Sequence, residues 1–179
     1  QRAVFLALTV CLGLTLYPLW PDSRWRRAGL VVDTAAALGT VVSCGYIVLN
    51  YERIMGALPW AQPHDMAMTA LLVVVILEIS RRAIGMIFPC LVAAGLAYAL
   101  LGQHLPGALG HRGFGPAFVT ETLFLGDLGI WGLLLGVAAT TIAAFVVFGA
   151  LILNTGGGQT FIDLAMRVGG RSRGGAAKI

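Results

Sequence analysis

Charged side chains that interrupt long apolar runs are the first candidates for chemistry. The stretch LEISRRAIG at 77–85 contains Glu78, Arg81 and Arg82 between uncharged runs of 12 and 20 residues. Glu78 and Arg82 are four residues apart, a spacing that allows an ion pair on one face of a helix. We therefore interpret them as a local structural pair, and a role of Glu78 in ion handling is the alternative.

One further charge, Asp33, interrupts the apolar run from Ala28 to Tyr51. A charge at membrane depth costs free energy, so such a residue is by default a functional candidate. The competing interpretation is an interfacial carboxylate that pairs with an arginine of the preceding loop, Arg26 or Arg27. This pairing is the working hypothesis.

The remaining polar residues do not form a recognisable catalytic pattern. The chain has no phosphate-binding loop with its lysine, no nucleophile elbow and no H-E-x-x-H motif. The histidines lie in predicted loops, where a metal site remains an alternative, and the cysteines lie in apolar segments without C-x-x-C spacing. These residues are His64, His104 and His111, with the metal alternative on the last two, and Cys11, Cys44 and Cys90. We expect no enzyme, and no cofactor or metal bound by this chain.

Composition indicates the environment in which these residues must be positioned. The 179 residues are 58% hydrophobic and 11% charged, with a mean hydropathy of +0.87. Soluble domains carry about 25% charged residues. The apolar residues form blocks without strand-like alternation, so we predict an all-α integral membrane protein of about five transmembrane helices.

Five apolar segments are candidates for these helices. They are Ala3–Trp20, Ala28–Tyr51, Met66 to about Ser80, Ala83–Gly102 and Leu128–Asn154. A spanning helix needs about 20 apolar residues. The third segment reaches that length only if Asp65 and Glu78 lie at its two ends, near the lipid headgroups.

The number of Lys and Arg residues alternates between high and low in the successive stretches, or gaps, that flank and separate the five segments. Nine of the 12 Lys and Arg residues fall in alternate gaps: Arg24, Arg26, Arg27, Arg81, Arg82, Arg167, Arg171, Arg173 and Lys178. Cytoplasmic loops carry the Lys and Arg excess. We therefore predict an outside N-terminus, a cytoplasmic C-terminus and a tight cytoplasmic turn at Ile79–Arg82. The basic tail is expected to contact membrane lipid, and no nucleic acid partner is needed.

Small residues predict helix packing. Gly132, Gly136, Thr140 and Ala144 recur every four residues in the fifth segment, and Ala35, Gly39 and Ser43 do so in the second. Such stripes allow close helix contact in lipid. Pro89 predicts a kink in the fourth segment. After the glycines of NTGGGQ, FIDLAMRV predicts an amphipathic C-terminal segment with Phe161, Leu164, Ala165 and Val168 on one face.

The order of motifs resembles the fused membrane permease of tripartite ATP-independent periplasmic (TRAP) transporters, TAXI type. The motifs are HDM at 64–66, LEISRRAIG, Tyr98 with Gly102, LPG at 105–107, GIWGLLLGVAATT at 129–141, FGALILNTGGGQTFIDLA at 148–165 and RGGAAKI at 173–179. The family residues are Asp65, Glu78, Arg81, Arg82, Gly85, Pro106, Gly107, Gly129, Gly132, Gly149, Gly156, Gly174, Gly175 and Lys178. Ala176 departs from the pattern, because the family usually has proline there.

The resemblance implies a domain organisation. Residues 1–102 would form a small-subunit-like region of four spans, and 103–127 an outside connector. Residues 128–179 would form the first helix of the large transport region and a cytoplasmic amphipathic segment. Since the sequence starts at Gln1 and stops as apolar residues resume, we expect that it represents part of a longer chain.

The resemblance also implies a function. It implies a bacterial inner-membrane, secondary, Na⁺-coupled transporter that takes up organic acids or related solutes from a periplasmic solute-binding protein. This chain would brace the remaining transport region, whose sodium and substrate sites lie further along. The alternative is a non-transporting membrane subunit that stabilises a larger complex with other subunits. A pore is disfavoured, because no segment carries a polar stripe.

Overall fold

The computed structural model describes residues 1–21, 24–57, 61–107 and 110–169, and these ranges are helical with no strand. The helices are α1 Arg2–Leu16, α2 Arg26–Leu49, α3 Tyr51–Ala57, α4 Pro63–Ile84, α5 Ile87–Leu101, α6 Pro116–Thr120, α7 Leu133–Val137, α8 Ala143–Asn154 and α9 Gly157–Gly169. The chain divides into two compact units, Gln1–Gly136 and Val137–Ile179. The predicted all-α class is confirmed.

In the first unit, α1, α2 and α4 pack around two apolar clusters. Ala3, Cys44 and Leu72 belong to the first cluster, and Val10 and Val75 to the second. Residues near the start of α1 thus contact residues near the end of α2 and in the first half of α4. Helices α1 and α4 therefore run in the same direction, and α2 runs in the opposite one.

Small residues allow this close approach. A Cβ added at Gly13 would lie 3.0 Å from the Ile79 side chain, and one added at Gly39 would lie 2.9 Å from Leu71. Ser43 is buried, and its hydroxyl lies 3.5 Å from the Met68 sulfur. The contacts of Gly39 and Ser43 therefore lie on α4.

The predicted turn at Ile79–Arg82 is wrong. Helix α4 continues to Ile84, and the chain turns at Gly85, whose φ of +92° favours glycine. The helix continues because Glu78 pairs with arginines three and four residues later, and these pairs support the last helical turn.

The predicted kink at Pro89 is also wrong, since this residue lies in the first turn of α5, where no intrahelical N–H is required.

The predicted connector at 103–127 contains a helix that sequence reasoning missed. Helix α6 continues into a π-helical turn, Glu121–Leu125, and Phe124 of this turn is fully buried. The Trp131 indole N–H donates a 2.5 Å hydrogen bond to the Phe124 carbonyl oxygen. The fifth predicted helix consequently starts at Leu133 rather than at Leu128, because residues 126–132 form the turn that holds Trp131 in place.

Within the part of the chain that the structure describes, three helical stretches are long and apolar enough to cross a membrane: Arg26–Leu49, Ile87–His104 and Leu133–Asn154. The third apolar segment forms a helix of 22 residues, longer than its apolar part, because its charged ends are included. Helix α1 has 15 residues. Most large apolar side chains of these helices are exposed, which fits an outer surface covered by lipid or other protein.

The second unit contains a π-helical segment, Ala138–Ile142, followed by α8 and α9. Helix α8 ends before Gly156, whose φ is +76°. In α9, Phe161 and Leu164 are exposed by 64% and 56%, as an uncovered amphipathic helix requires.

Candidate functional site

The charges from LEISRRAIG and Asp33 meet in one place. Arg82 of α4 donates to the Asp33 carboxylate of α2 over 2.7 Å and to the Glu78 carboxylate over 2.8 Å. Glu78 also accepts two 2.8 Å hydrogen bonds from Arg81. We call Asp33, Glu78, Arg81 and Arg82 the Arg82 cluster.

The Arg82 cluster joins three helices and not only two. The second Asp33 oxygen accepts a 2.9 Å hydrogen bond from the Leu19 backbone N–H, and Arg82 donates over 3.1 Å to the Tyr17 carbonyl oxygen. Leu19, whose N–H donates, and Tyr17, whose carbonyl oxygen accepts, both lie just beyond the end of α1. Sequence reasoning missed Tyr17 and Leu19 because their backbone groups, and not their side chains, make the contact.

Gly29 is a third missed residue of this region. A Cβ at this position would overlap the Leu19 carbonyl oxygen, so only glycine permits the loop to lie against α2. The close approach of loop and helix places the Leu19 N–H within reach of Asp33.

The charged side chains of the Arg82 cluster form a network of ion pairs. The Asp33 and Arg82 side chains are 10% and 7% exposed, and each has an opposite charge at hydrogen-bond distance. Glu78 raises the pKa of the exposed Arg81 guanidinium above its usual value through their hydrogen bonds. Because both Asp33 oxygens already accept hydrogen bonds, this geometry is that of a structural contact that holds the helices together.

The pairing hypothesis for Asp33 needs a correction. The expected pair of Glu78 with Arg82 is present. Asp33, however, pairs with Arg82 and not with Arg26 or Arg27. These two lie on the same helix as Asp33, seven and six residues earlier, whereas α4 brings Arg82 directly alongside.

A second polar group surrounds Asp65, which is 1% exposed. Its carboxylate accepts hydrogen bonds from the Gln62 N–H over 2.9 Å and from the Tyr46 hydroxyl over 2.6 Å. Arg53 lies 3.6 Å from the same carboxylate and also donates to the Tyr46 hydroxyl. His64 lies 2.6 Å from that hydroxyl. Asp65 thus caps α4 and joins it to α2 and α3.

Most glycines of the family motifs occupy positions that require glycine. Gly107 has a φ of +70°, and Gly129 lies directly against the Leu123 backbone. Gly132 is buried beside the Gly129 carbonyl oxygen, whereas Pro106 is exposed and Gly149 half-buried. Gly174, Gly175 and Lys178 lie outside the described residues.

The stripe predicted on the fifth segment is not one continuous α-helical face. Gly132 precedes α7, and Thr140 lies in the π-helical segment, which breaks a strict four-residue repeat. At Gly136, an added Cβ would lie 3.0 Å from the Arg2 guanidinium. Arg2 in turn donates to the Trp131 carbonyl oxygen over 2.6 Å. Thr140 and Ala144 are exposed, and the packing partner of the stripe stays a prediction.

The histidines predicted in loops have separate surroundings. His111 contacts the Tyr98 carbonyl oxygen over 3.0 Å and accepts from the Gly113 N–H. Across the described part of the chain, no group of three or more His, Cys, Asp or Glu side chains is arranged to hold a metal ion.

Comparison with known proteins gives one finding. Residues 71–179 match the family described as tripartite ATP-independent periplasmic transporter, DctM component. The match begins within α4 and includes Glu78, Arg81 and Arg82 of the Arg82 cluster. No curated protein and no solved structure matches the chain significantly.

Proposed function

Since the chain belongs to the DctM family of TRAP transporters, we propose that it braces the transport region of a secondary transporter in the bacterial inner membrane. It would do so as part of a fused permease of the TAXI type. The observation that carries this proposal is the Arg82 cluster, in which a buried ion pair fixes α2 and α4 to the end of α1. A rigid three-helix body of this kind suits a fixed support against which a moving region works.

The finer features of the proposed transport cycle come from the family resemblance. Uptake of an organic acid or related solute would be driven by a Na⁺ gradient, and a periplasmic solute-binding protein would deliver the solute. The ion and solute sites would lie in the remaining transport region. The exposed apolar face of Leu133–Asn154 supports contact with such a region or with lipid.

Transport by the complete permease in proteoliposomes tests this proposal. We expect uptake of a radiolabelled organic acid only with an inward Na⁺ gradient and with the cognate binding protein outside. Residues 1–179 alone should insert into the vesicles without supporting uptake. Uptake by the complete permease that needs neither the gradient nor the binding protein would overturn the proposed coupling.

A separate variant tests the proposed bracing role. Asp33→Asn in the complete permease should lower assembly or heat stability while the Na⁺ concentration for half-maximal uptake stays unchanged. A changed Na⁺ dependence would show that Asp33 takes part in ion handling. An intact complex that never transports any solute would instead favour the alternative of a stabilising, non-transporting subunit.

A further inference from the structure

A groove of about 620 Å³ lies between α1 and α2 at the end where the Arg82 cluster lies. Its walls are mainly apolar and include Cys11, Leu14, Leu30 and Ala37. Arg26 lines the same groove at the start of α2. This volume is within the range of about 300–1,000 Å³ that is usual for small-molecule sites.

We propose that this groove binds one anionic phospholipid, with the phosphate at Arg26 and an acyl chain along the apolar wall. Among the described residues, Arg26 takes part in no ion pair. Asp33 also lines the groove, but Arg82 and the Leu19 N–H occupy its two oxygens. A positive group is therefore available at one end of an apolar channel, as an amphipathic anion requires.

The surroundings of the groove place its polar end at headgroup depth. Tyr17, Trp20 and Trp25 beside it are exposed by 45%, 51% and 56%, and tyrosine and tryptophan favour the membrane–water interface. The guanidinium of Arg24 lies 5.4 Å from the centre of the Trp25 ring. By sequence, residues 21–27 contain three arginines and one aspartate, so their net charge attracts an anionic lipid over a zwitterionic one.

Native mass spectrometry of the purified full chain tests the proposal, with phosphatidylglycerol and phosphatidylcholine added in equal amounts. We expect preferential retention of phosphatidylglycerol, and a loss of about fivefold in Arg26→Gln, since one interfacial arginine contributes about 1 kcal/mol. Arg27→Gln is the matched control, because Arg27 is the next residue in α2 but does not line the groove. Arg27→Gln should therefore reduce retention by less than Arg26→Gln does.

Two further variants separate binding from folding. Arg26→Lys preserves the charge and should preserve retention, whereas Ala37→Phe fills the groove and should reduce retention with Arg26 intact. Equal retention of the two lipids, or equal losses in Arg26→Gln and Arg27→Gln, would overturn the proposal. It would also be overturned if Cys11 crosslinked to another helix of the permease, because that helix would then occupy the groove.

Discussion

At the scale of single residues, Arg82 determines how three helices meet. Its guanidinium contacts the carboxylates of Asp33 and Glu78 and the Tyr17 carbonyl oxygen. Neighbouring Arg81 is exposed, and its ion pair among the described residues is with Glu78. We therefore expect the two adjacent arginines to contribute differently to the free energy of unfolding, because their burial differs although their residue type is the same.

Arg82→Gln should destabilise the protein far more than Arg81→Gln. Removing one partner from a buried ion pair leaves Asp33 uncompensated and costs about 3–5 kcal/mol. An exposed pair is worth about 0–1 kcal/mol. Thermal unfolding in detergent, followed by fluorescence of the tryptophans, measures both variants. Equal unfolding temperatures would contradict the buried position of Arg82.

A double variant tests whether Asp33 and Arg82 act as a pair. Asp33→Asn combined with Arg82→Gln removes both charges, so the second substitution should cost less than it does alone, by a coupling of about 1–3 kcal/mol. Strictly additive losses would mean that the two side chains stabilise the bundle independently.

At the scale of elements, Gly29 tests whether the loop after α1 must lie against α2. Gly29→Ala introduces a Cβ that overlaps the Leu19 carbonyl oxygen, and the loop must move away from Asp33. Gly45 in the same helix has no atom within 4 Å of an added Cβ. Gly45→Ala should therefore be neutral or stabilising by about 0.5–1 kcal/mol.

The readout for this glycine pair is the extracted yield and melting temperature in one detergent. We expect a lower melting temperature for Gly29→Ala only. Similar losses for both variants would indicate that α2 tolerates no added methyl group, independent of the Leu19 contact.

The elements that sequence reasoning found and missed differ in the range of their contacts. The long apolar helices and the Glu78–Arg82 pair were predictable, because hydropathy and four-residue spacing are local properties. The pairing of Asp33 with Arg82 joins positions 49 residues apart, so it required the packing of α2 on α4. Helix α6 was missed because a ten-residue apolar stretch with Glu121 within it gives no spanning signal.

The contact between Gly136 of α7 and Arg2 at the start of α1 provides another test at this scale. Gly136→Leu would displace the Arg2 guanidinium, which also donates to the Trp131 carbonyl oxygen. Val137→Leu adds volume at an exposed neighbouring position and is the control. We expect Gly136→Leu to reduce extracted yield and complex size, as inserting volume into a packed contact costs about 1–3 kcal/mol. Equal yields and complex sizes for the two variants would mean that the Arg2 contact does not stabilise the protein.

At the scale of the whole molecule, the first unit has its arginine-rich connections at one end. The loop after α1 and the end of α4 meet in the Arg82 cluster, so the structure confirms that these two basic gaps lie together. Arg53 lies at the opposite end, beside Asp65 at the start of α4. Within the first unit, the predicted alternation of charge between the loop after α1, the start of α4 and the end of α4 thus corresponds to two ends of the helix bundle.

The positive-inside rule predicts that the Arg82 end faces the cytoplasm, because by sequence nine of the 12 basic residues belong to that set of gaps. The test uses Arg24→Cys and Gly56→Cys, each in a background in which Cys11, Cys44 and Cys90 are replaced by serine. A membrane-impermeant maleimide added to intact spheroplasts should label Cys at 56, while labelling at 24 should require permeabilised membranes. The reverse pattern would invert the topology without changing the fold, since both ends of the bundle stay as they are. It would also move the lipid groove to the outer leaflet, where fewer anionic headgroups face Arg26.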